Sequence, residues 1–192
     1  MNYIIKEVNS NYLTDYCKVP ITFQGNSIFK VATPQNAFAG FILKEVTVNS
    51  FFKDYDLGGS PLEWKKFDLT NWRFYIVYDE NKPIAAATLV MKSEEIRMLE
   101  GKDDLACLWD IRVHPDYRGK GIGRAMFQKV ANDAKDNGCV YLKIETQNNN
   151  VSANRFYSSQ GCKLTQVHTK AYYNEPEYKD EVMMIWFLNL NN

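Results

Sequence analysis

The segment "LACLWDIRVHPDYRGKGIGRAMFQKVANDA", residues 105–134, changes its hydrophobic period midway, and that change limits the folds open to the chain. From Leu105 to His114-Pro115 it reads as a strand. Leu105, Cys107, Trp109, Ile111 and Val113 fall on one face, and Asp110 and Arg112 on the other. Beyond it Ile122, Met126, Val130 and Ala134 recur every four residues, with Phe127 and Ala131 beside them, which makes one apolar helix stripe. Gly138 supplies a stop for that helix. Between strand and helix stand Gly119, Gly121 and Gly123, interleaved with Arg118, Lys120 and Arg124. Glycine allows a backbone to approach a ligand with its N–H groups exposed. The helix start adds partial positive charge. A phosphate suits such a turn; a plain glycine turn joining two elements fits the same residues.

The flanking chain extends this unit. "WRFYIVYDENKPIAAATLVMK" reads as strands 72–78 and 83–91 around the turn Asp79–Lys82, a β-hairpin. "CVYLKIET" is a further strand. "NNNVSANRFYSSQGC" reads as a short helix with Asn caps that ends at Gly161. "KLTQVHTKAYY" and "DEVMMIWFLNL" read as two last strands around the acidic loop "NEPEYKD". From residue 72 the order is β-β-β-α-β-α-β-β, a mixed α/β sheet with helices on both faces. Residues 3–8 read as a strand. Residues 10–70, with their prolines, glycines and aromatic residues, are expected to hold one or two short helices.

Length and composition narrow the function. At 192 residues, 45% of them hydrophobic, the chain is expected to form one domain with a real core. Its 23 basic and 23 acidic residues cancel, and no basic stripe argues for nucleic acid. The few cations of the glycine loop suit a small anionic ligand. The N-terminus does not read as a signal peptide, and no apolar run is long enough to span a membrane. Cys17, Cys107, Cys139 and Cys162 are scattered without a CxxC pair, so no metal site is expected and a reduced, cytoplasmic setting is. The glycine loop lacks the Ser/Thr register of a P-loop. It reads G-x-G-x-G, not G-x-G-x-x-G, and too little chain follows for a dinucleotide domain.

"VHPDYRGKGIGRAMF" resembles the acyl-CoA-binding motif of the GNAT N-acetyltransferases, R/Q-x-x-G-x-G/A, with Arg118, Gly121 and Gly123 on its defining positions. A second GNAT motif, N-x-x-A-x-x-F/L-Y-x-x-x-G, is matched by Asn150, Ala153, Phe156, Tyr157 and Gly161. Within the superfamily these stretches are most similar to the streptothricin acetyltransferases. The C-terminal "AYYNEPEYKDEVMMIW" is also similar to ribosomal-protein N-terminal acetyltransferases, with their Tyr-Tyr and acidic loop. The resemblance implies a GNAT-like mixed, mainly antiparallel central sheet with helices on both faces. It implies an acetyl-CoA-binding core at 72–190 and an acceptor-side part at 1–70 within a single domain, 1–192. It also implies acetyl transfer from acetyl-CoA to an amine. The amides and cations of Arg118, Gly119, Lys120, Gly121, Ile122, Gly123 and Arg124 would hold the cofactor pyrophosphate. The backbone of Ile111 and Val113 would pair with the pantetheine arm, and one of these N–H groups would face the thioester oxygen.

The resemblance also suggests who moves protons. An ammonium must lose a proton before it attacks, and a carboxylate is the usual base. Glu145 ends the strand "YLKIET" at the spacing of a base glutamate in the ribosomal-protein enzymes. Asp110 is the rival, either paired with a neighbour such as Arg112 or turned into the cleft. Cys107 sits about where some protein-directed members keep a base glutamate. Tyr157 falls on the family's acid position, and a phenol is protonated at neutral pH. Asn150 caps the short helix and is placed to bond the cofactor. His114 reads as a turn residue and His168 as part of a late strand. The leading acceptor is a small cationic amine such as streptothricin, with peptide N-termini second and a non-catalytic acyl-CoA-binding module third. Asp54, Asp56, Glu175, Glu177, Asp180 and Glu181 are the carboxylates expected to border the acceptor. Homodimer formation stays open.

Overall fold

The expected strand, glycine loop and helix are present in a computed structural model that describes residues 3–191. Its regular elements are β1 (Ile5–Val8), α1 (Leu13–Tyr16), β2 (Thr22–Ala32), β3 (Ile42–Asp54), β4 (Trp72–Asp79), β5 (Lys82–Met91), β6 (Leu105–Val113), α2 (Ile122–Asp136), β7 (Tyr141–Gln147), α3 (Val151–Ser159), β8 (Lys163–His168) and β9 (Met183–Asn189). From residue 72 the order is the one expected. The chain divides into two compact units, residues 1–22, 54–143 and 189–192 in the first and 23–53 and 144–188 in the second. The N-terminal third is therefore shared between the units and is not a segment of its own.

In the first unit β1, β4, β5 and β6 lie side by side, all antiparallel. The β4–β5 hairpin turns where expected, with Glu80 in the left-handed region (φ 53°). Every residue of β5 from Pro83 to Met91 is buried, as a strand covered on both faces requires. The cover is visible in side-chain bonds. Thr88 Oγ1 donates to Tyr16 of α1 (2.9 Å), and Tyr75, opposite Ala87, donates to Asp133 of α2 (2.7 Å). Thr88 and Ala87 point to opposite faces, so α1 and α2 lie on opposite faces of β5. The α2 stripe is as expected: Ile122, Met126, Phe127, Val130, Ala131 and Ala134 are all buried, and Gly138 follows the helix at φ 86°.

One expectation for β6 is corrected. Asp110 pairs with Thr88, but Leu108 pairs with the next residue, Leu89, so Trp109 is an extra residue in a β-bulge. The bulge flips the alternation. Cys107, opposite Val90, shares the face of Asp110 and Arg112, whereas Leu108 shares that of Ile111 and Val113. The burial is inverted as well: Asp110 and Arg112 are buried, and Trp109, Ile111 and Val113 are half-buried.

In the second unit the strand order is β7-β9-β8, with β8 and β9 antiparallel, and β2 and β3 form a separate two-stranded ribbon. The short helices expected at 10–70 are present as α1 and brief 3-10 turns, and the region also holds the long ribbon, which the expectation lacked. "TFQGNSIFKVA" and "ILKEVTVNSFFKD" carry the β-branched and aromatic residues that suit strands. Pro20 and Pro34 flank β2 without entering it. Gly25 lies under the Phe51 ring, where a Cβ would collide. α3 starts as expected: Asn150 Oδ1 accepts from the Ala153 N–H at 3.0 Å.

Candidate active site

The glycine loop belongs to the first unit. His114 heads a 3-10 turn, Pro115–Tyr117, its Nδ1 accepting weakly from the Asp116 N–H at 3.4 Å, the turn role expected of it. Gly119 and Gly121 then both take left-handed φ, 76° and 82°. A Cβ on either would meet nothing within 4 Å, so the loop needs glycine for its backbone angles and faces open space. Gly121 is the N-cap of α2 and no side chain caps the helix. The first-turn N–H groups of Ile122, Gly123 and Arg124 therefore have neither an intrahelical nor a side-chain cap partner. That is a donor set for an anion.

The three cations of the loop differ in role. Arg118 donates from Nε to the Val113 carbonyl (2.9 Å) and from Nη2 to the Thr22 carbonyl. It fastens the loop to the end of β6. Lys120 lies over the Tyr117 ring, 4.7 Å from its centroid, and Tyr117 donates to Asp79 at 2.7 Å. Lys120 and Arg124 are exposed, free of the backbone ties that hold Arg118 here, and suited to an anion at the helix start.

Beside this loop, β6 carries a buried polar network. Asp110 Oδ1 accepts from Arg112 Nε (3.0 Å) and Tyr16 Oη (2.9 Å), and Oδ2 accepts from Arg112 Nη2 (2.6 Å). Arg112 Nη1 donates to Asp56 (2.9 Å) and to the Val19 carbonyl (3.0 Å). Burial opposes the guanidinium charge, but the Asp110 carboxylate outweighs it and holds Arg112 above its ordinary pKa. Burial first, and the Asp110 charge second, push the Tyr16 phenol well up, so it stays a donor. Of the two alternatives for Asp110, pairing with Arg112 is the one seen.

The second unit holds the other expected groups. Glu145, half-buried near the end of β7, accepts from the Tyr172 hydroxyl at 2.6 Å, and Gln147 Nε2 donates to the same hydroxyl at 2.9 Å. Asn150 caps α3. Tyr157 is buried in α3, only 6% exposed, and its carbonyl accepts from the Cys162 N–H. His168 is exposed at the end of β8. Tyr172 and Gln147 were not singled out from sequence; the signal was the Tyr-Tyr pair, read only as part of a resemblance.

The carboxylates expected to border the acceptor differ in their surroundings. Asp54 caps a turn by accepting from the Asp56 N–H (3.0 Å), Asp56 is bound to Arg112, and Glu181 is buried against Lys53 at 2.5 Å. Only Glu175, Glu177 and Asp180 are exposed. Among the described residues no cluster of His, Cys, Asp and Glu could hold a metal ion, all four cysteines are free, and no helix is long and apolar enough to cross a membrane.

The Acetyltransferase (GNAT) family matches residues 43–162, and the chain belongs to that family. Streptothricin acetyltransferase A of Bacillus subtilis (strain 168) is 35% identical over 92 residues, 48% of this chain and 53% of its own. The chain spans about half the length of the curated relatives it matches. Two solved structures share the fold over nearly their full length. The crystal structure of nourseothricin acetyltransferase has TM-score 0.78 at 21% identity, covering 99% of both chains. A structure from Bacillus anthracis str. Ames, determined in complex with acetyl coenzyme A, has TM-score 0.77 at 24% identity, covering 98% of this chain and 99% of its own.

Proposed function

We propose that the chain is an N-acetyltransferase that moves the acetyl group of acetyl-CoA to a primary amine, small and cationic, of the streptothricin kind. The observation that carries this reading is the pair of left-handed glycines leading into an uncapped helix, with the Asn150 cap and Tyr157 of the second motif also present. The likeness to streptothricin acetyltransferase A supports the acceptor class. Residues 1–192 then work as one acetyltransferase domain. Four free thiols suit a cytoplasmic setting.

Acetyl-CoA supplies a thioester carbonyl. The N–H groups of residues 119–124 bind its pyrophosphate, with Lys120 and Arg124 adding charge and Arg118 holding the loop in shape. The backbone of Ile111 and Val113 pairs with the pantetheine arm as an added strand would, which is why apolar side chains suffice there. Glu145 takes a proton from the ammonium, directly or through one water. The amine then forms the new C–N bond and the C–S bond breaks. Tyr157 gives its proton to the leaving thiolate and regains one from the second proton that the acylated nitrogen loses. The partners of Asp110 argue against the base role, since Arg112 and Tyr16 donate to both of its oxygens.

The test is thiol release from acetyl-CoA across streptothricin, polyamines, aminoglycosides, lysine and ribosomal N-terminal peptides. Streptothricin turnover is the expected result. A peptide that exceeds it tenfold in kcat/KM moves the assignment to a protein-directed enzyme. Acetyl-CoA binding without thiol release from any amine makes the chain a binding module.

A further inference from the structure

The loop between β8 and β9 contains no helix or strand, yet it is a built object. Backbone bonds run from the Glu175 N–H to the Tyr172 carbonyl, from Tyr178 to Glu175 and from Glu181 to Tyr178, three turns in series. Its far end is fixed by Asn148, which donates its N–H to the Val182 carbonyl (3.0 Å) and accepts the Val182 N–H on Oδ1 (2.8 Å). Glu181 is paired with Lys53, which lies 5.1 Å over the Tyr178 ring. Tyr172 is the tie at its near end.

We infer that Tyr172 is a positioning residue for acetyl transfer, clamping the carboxylate of Glu145 from the acceptor loop; this rests on the reading of Glu145 as base. The direction of the clamp follows from a proton count. A phenol has one proton and can accept as well. Gln147 Nε2 donates into the Tyr172 oxygen, so the Tyr172 proton goes to Glu145 Oε1, 2.6 Å away. Burial, and then the Glu145 charge, hold the Tyr172 phenol far above its ordinary pKa. The clamp therefore stays a donor across any assay pH. The terminal torsion of a glutamate is soft, and a hydrogen bond to one oxygen fixes it. The charged and aromatic groups around the clamp, Glu181, Lys53 and Tyr178, are tied to each other.

The experiment is a double-mutant cycle on Tyr172→Phe and Glu145→Gln, read as the single-turnover acetyl-transfer rate with streptothricin, or with the best amine of the panel. Tyr172→Phe is expected to slow transfer about ten- to a hundredfold, the cost of a misplaced group. The KM for acetyl-CoA and the melting temperature are expected to stay near wild type. In the Glu145→Gln background the same change adds less than about twofold, because nothing is left to aim. An equal factor in both backgrounds overturns the clamp while leaving the base in place. A Glu145→Gln enzyme as fast as wild type overturns the base, and the clamp with it.

Discussion

Asp110 offers the sharpest separation between a structural and a catalytic carboxylate, through the conservative change Asp110→Asn. The side chain keeps its size but loses its charge and one acceptor. In the native network it accepts three bonds, two of them from Arg112, whose side chain is 2% exposed. Removing one partner of a buried ion pair costs about 3–5 kcal/mol, because the remaining charge stays in a poorly solvated site. Here Asp56 still faces Arg112 Nη1, but its own side chain is 28% exposed, so it compensates only in part. The low end, about 3 kcal/mol, is the expected loss. For a chain of this size that lowers the melting temperature by about 6–12 °C. Calorimetry and urea unfolding measure it, and kcat is measured at a temperature where the variant is folded. Turnover per folded molecule is expected within about fivefold of wild type. A variant that melts within 2 °C of wild type and loses turnover a hundredfold refutes this account and makes Asp110 the base.

Gly121→Asp should fold, since Asp tolerates left-handed angles and caps helices well, but its carboxylate then takes the first-turn amides; acetyl-CoA affinity by calorimetry should fall at least tenfold, and an unchanged Kd removes the loop from the cofactor site. Tyr157→Phe should lower kcat by about 10²–10⁴ with acetyl-CoA affinity kept, and undiminished single-turnover chemistry would remove the acid role. Glu100 is held at a pKa of about 2 by hydrogen bonds from Lys102 and Lys143. A depressed carboxylate gives stability that is full above its unfolded pKa and is lost as pH falls through the folded one, so Glu100→Gln should weaken the protein at neutral pH and flatten its stability between about pH 4.5 and 2. An acid-unfolding curve parallel to wild type would contradict this.

What could be read from the chain tracks how local its cause is. The α2 stripe was legible because one helix face decides it, and the β4–β5 hairpin because its turn joins neighbours. The pairing of Asp110 with Arg112 was within reach, since residues two apart on a strand share a face. The bulge at Trp109 was not, because it is a mismatch between β5 and β6 and neither strand shows it alone. The ribbon of β2 and β3 was missed for a related reason. No residue from 23 to 53 whose burial is described is fully buried, so the sequence there lacks the apolar contrast that marks a strand with one covered face. Among the candidate residues, the motifs single out Gly121, Asn150 and Tyr157, but Tyr172 meets Glu145 only through a loop whose turns are set by its own backbone.

The distribution of charge around the glycine loop fits the proposed anion site to a chain with no net charge. A lone arginine aimed at phosphate would have to be held in place, and here Arg118 is held by two carbonyls that fix the loop itself. The His114 N–H donates to the Ile84 carbonyl (2.8 Å), and Tyr117 is anchored on Asp79. The loop is therefore tied to β5, to β6 and to the β4–β5 turn before any ligand arrives. Preorganised amides lose little freedom on binding, and their attraction adds to that of the helix start. The full charges of Lys120 and Arg124 stay at the rim, where solvent screens them. Affinity for the phosphates should then come chiefly from backbone geometry, and two left-handed glycines matter more to it than any one basic side chain.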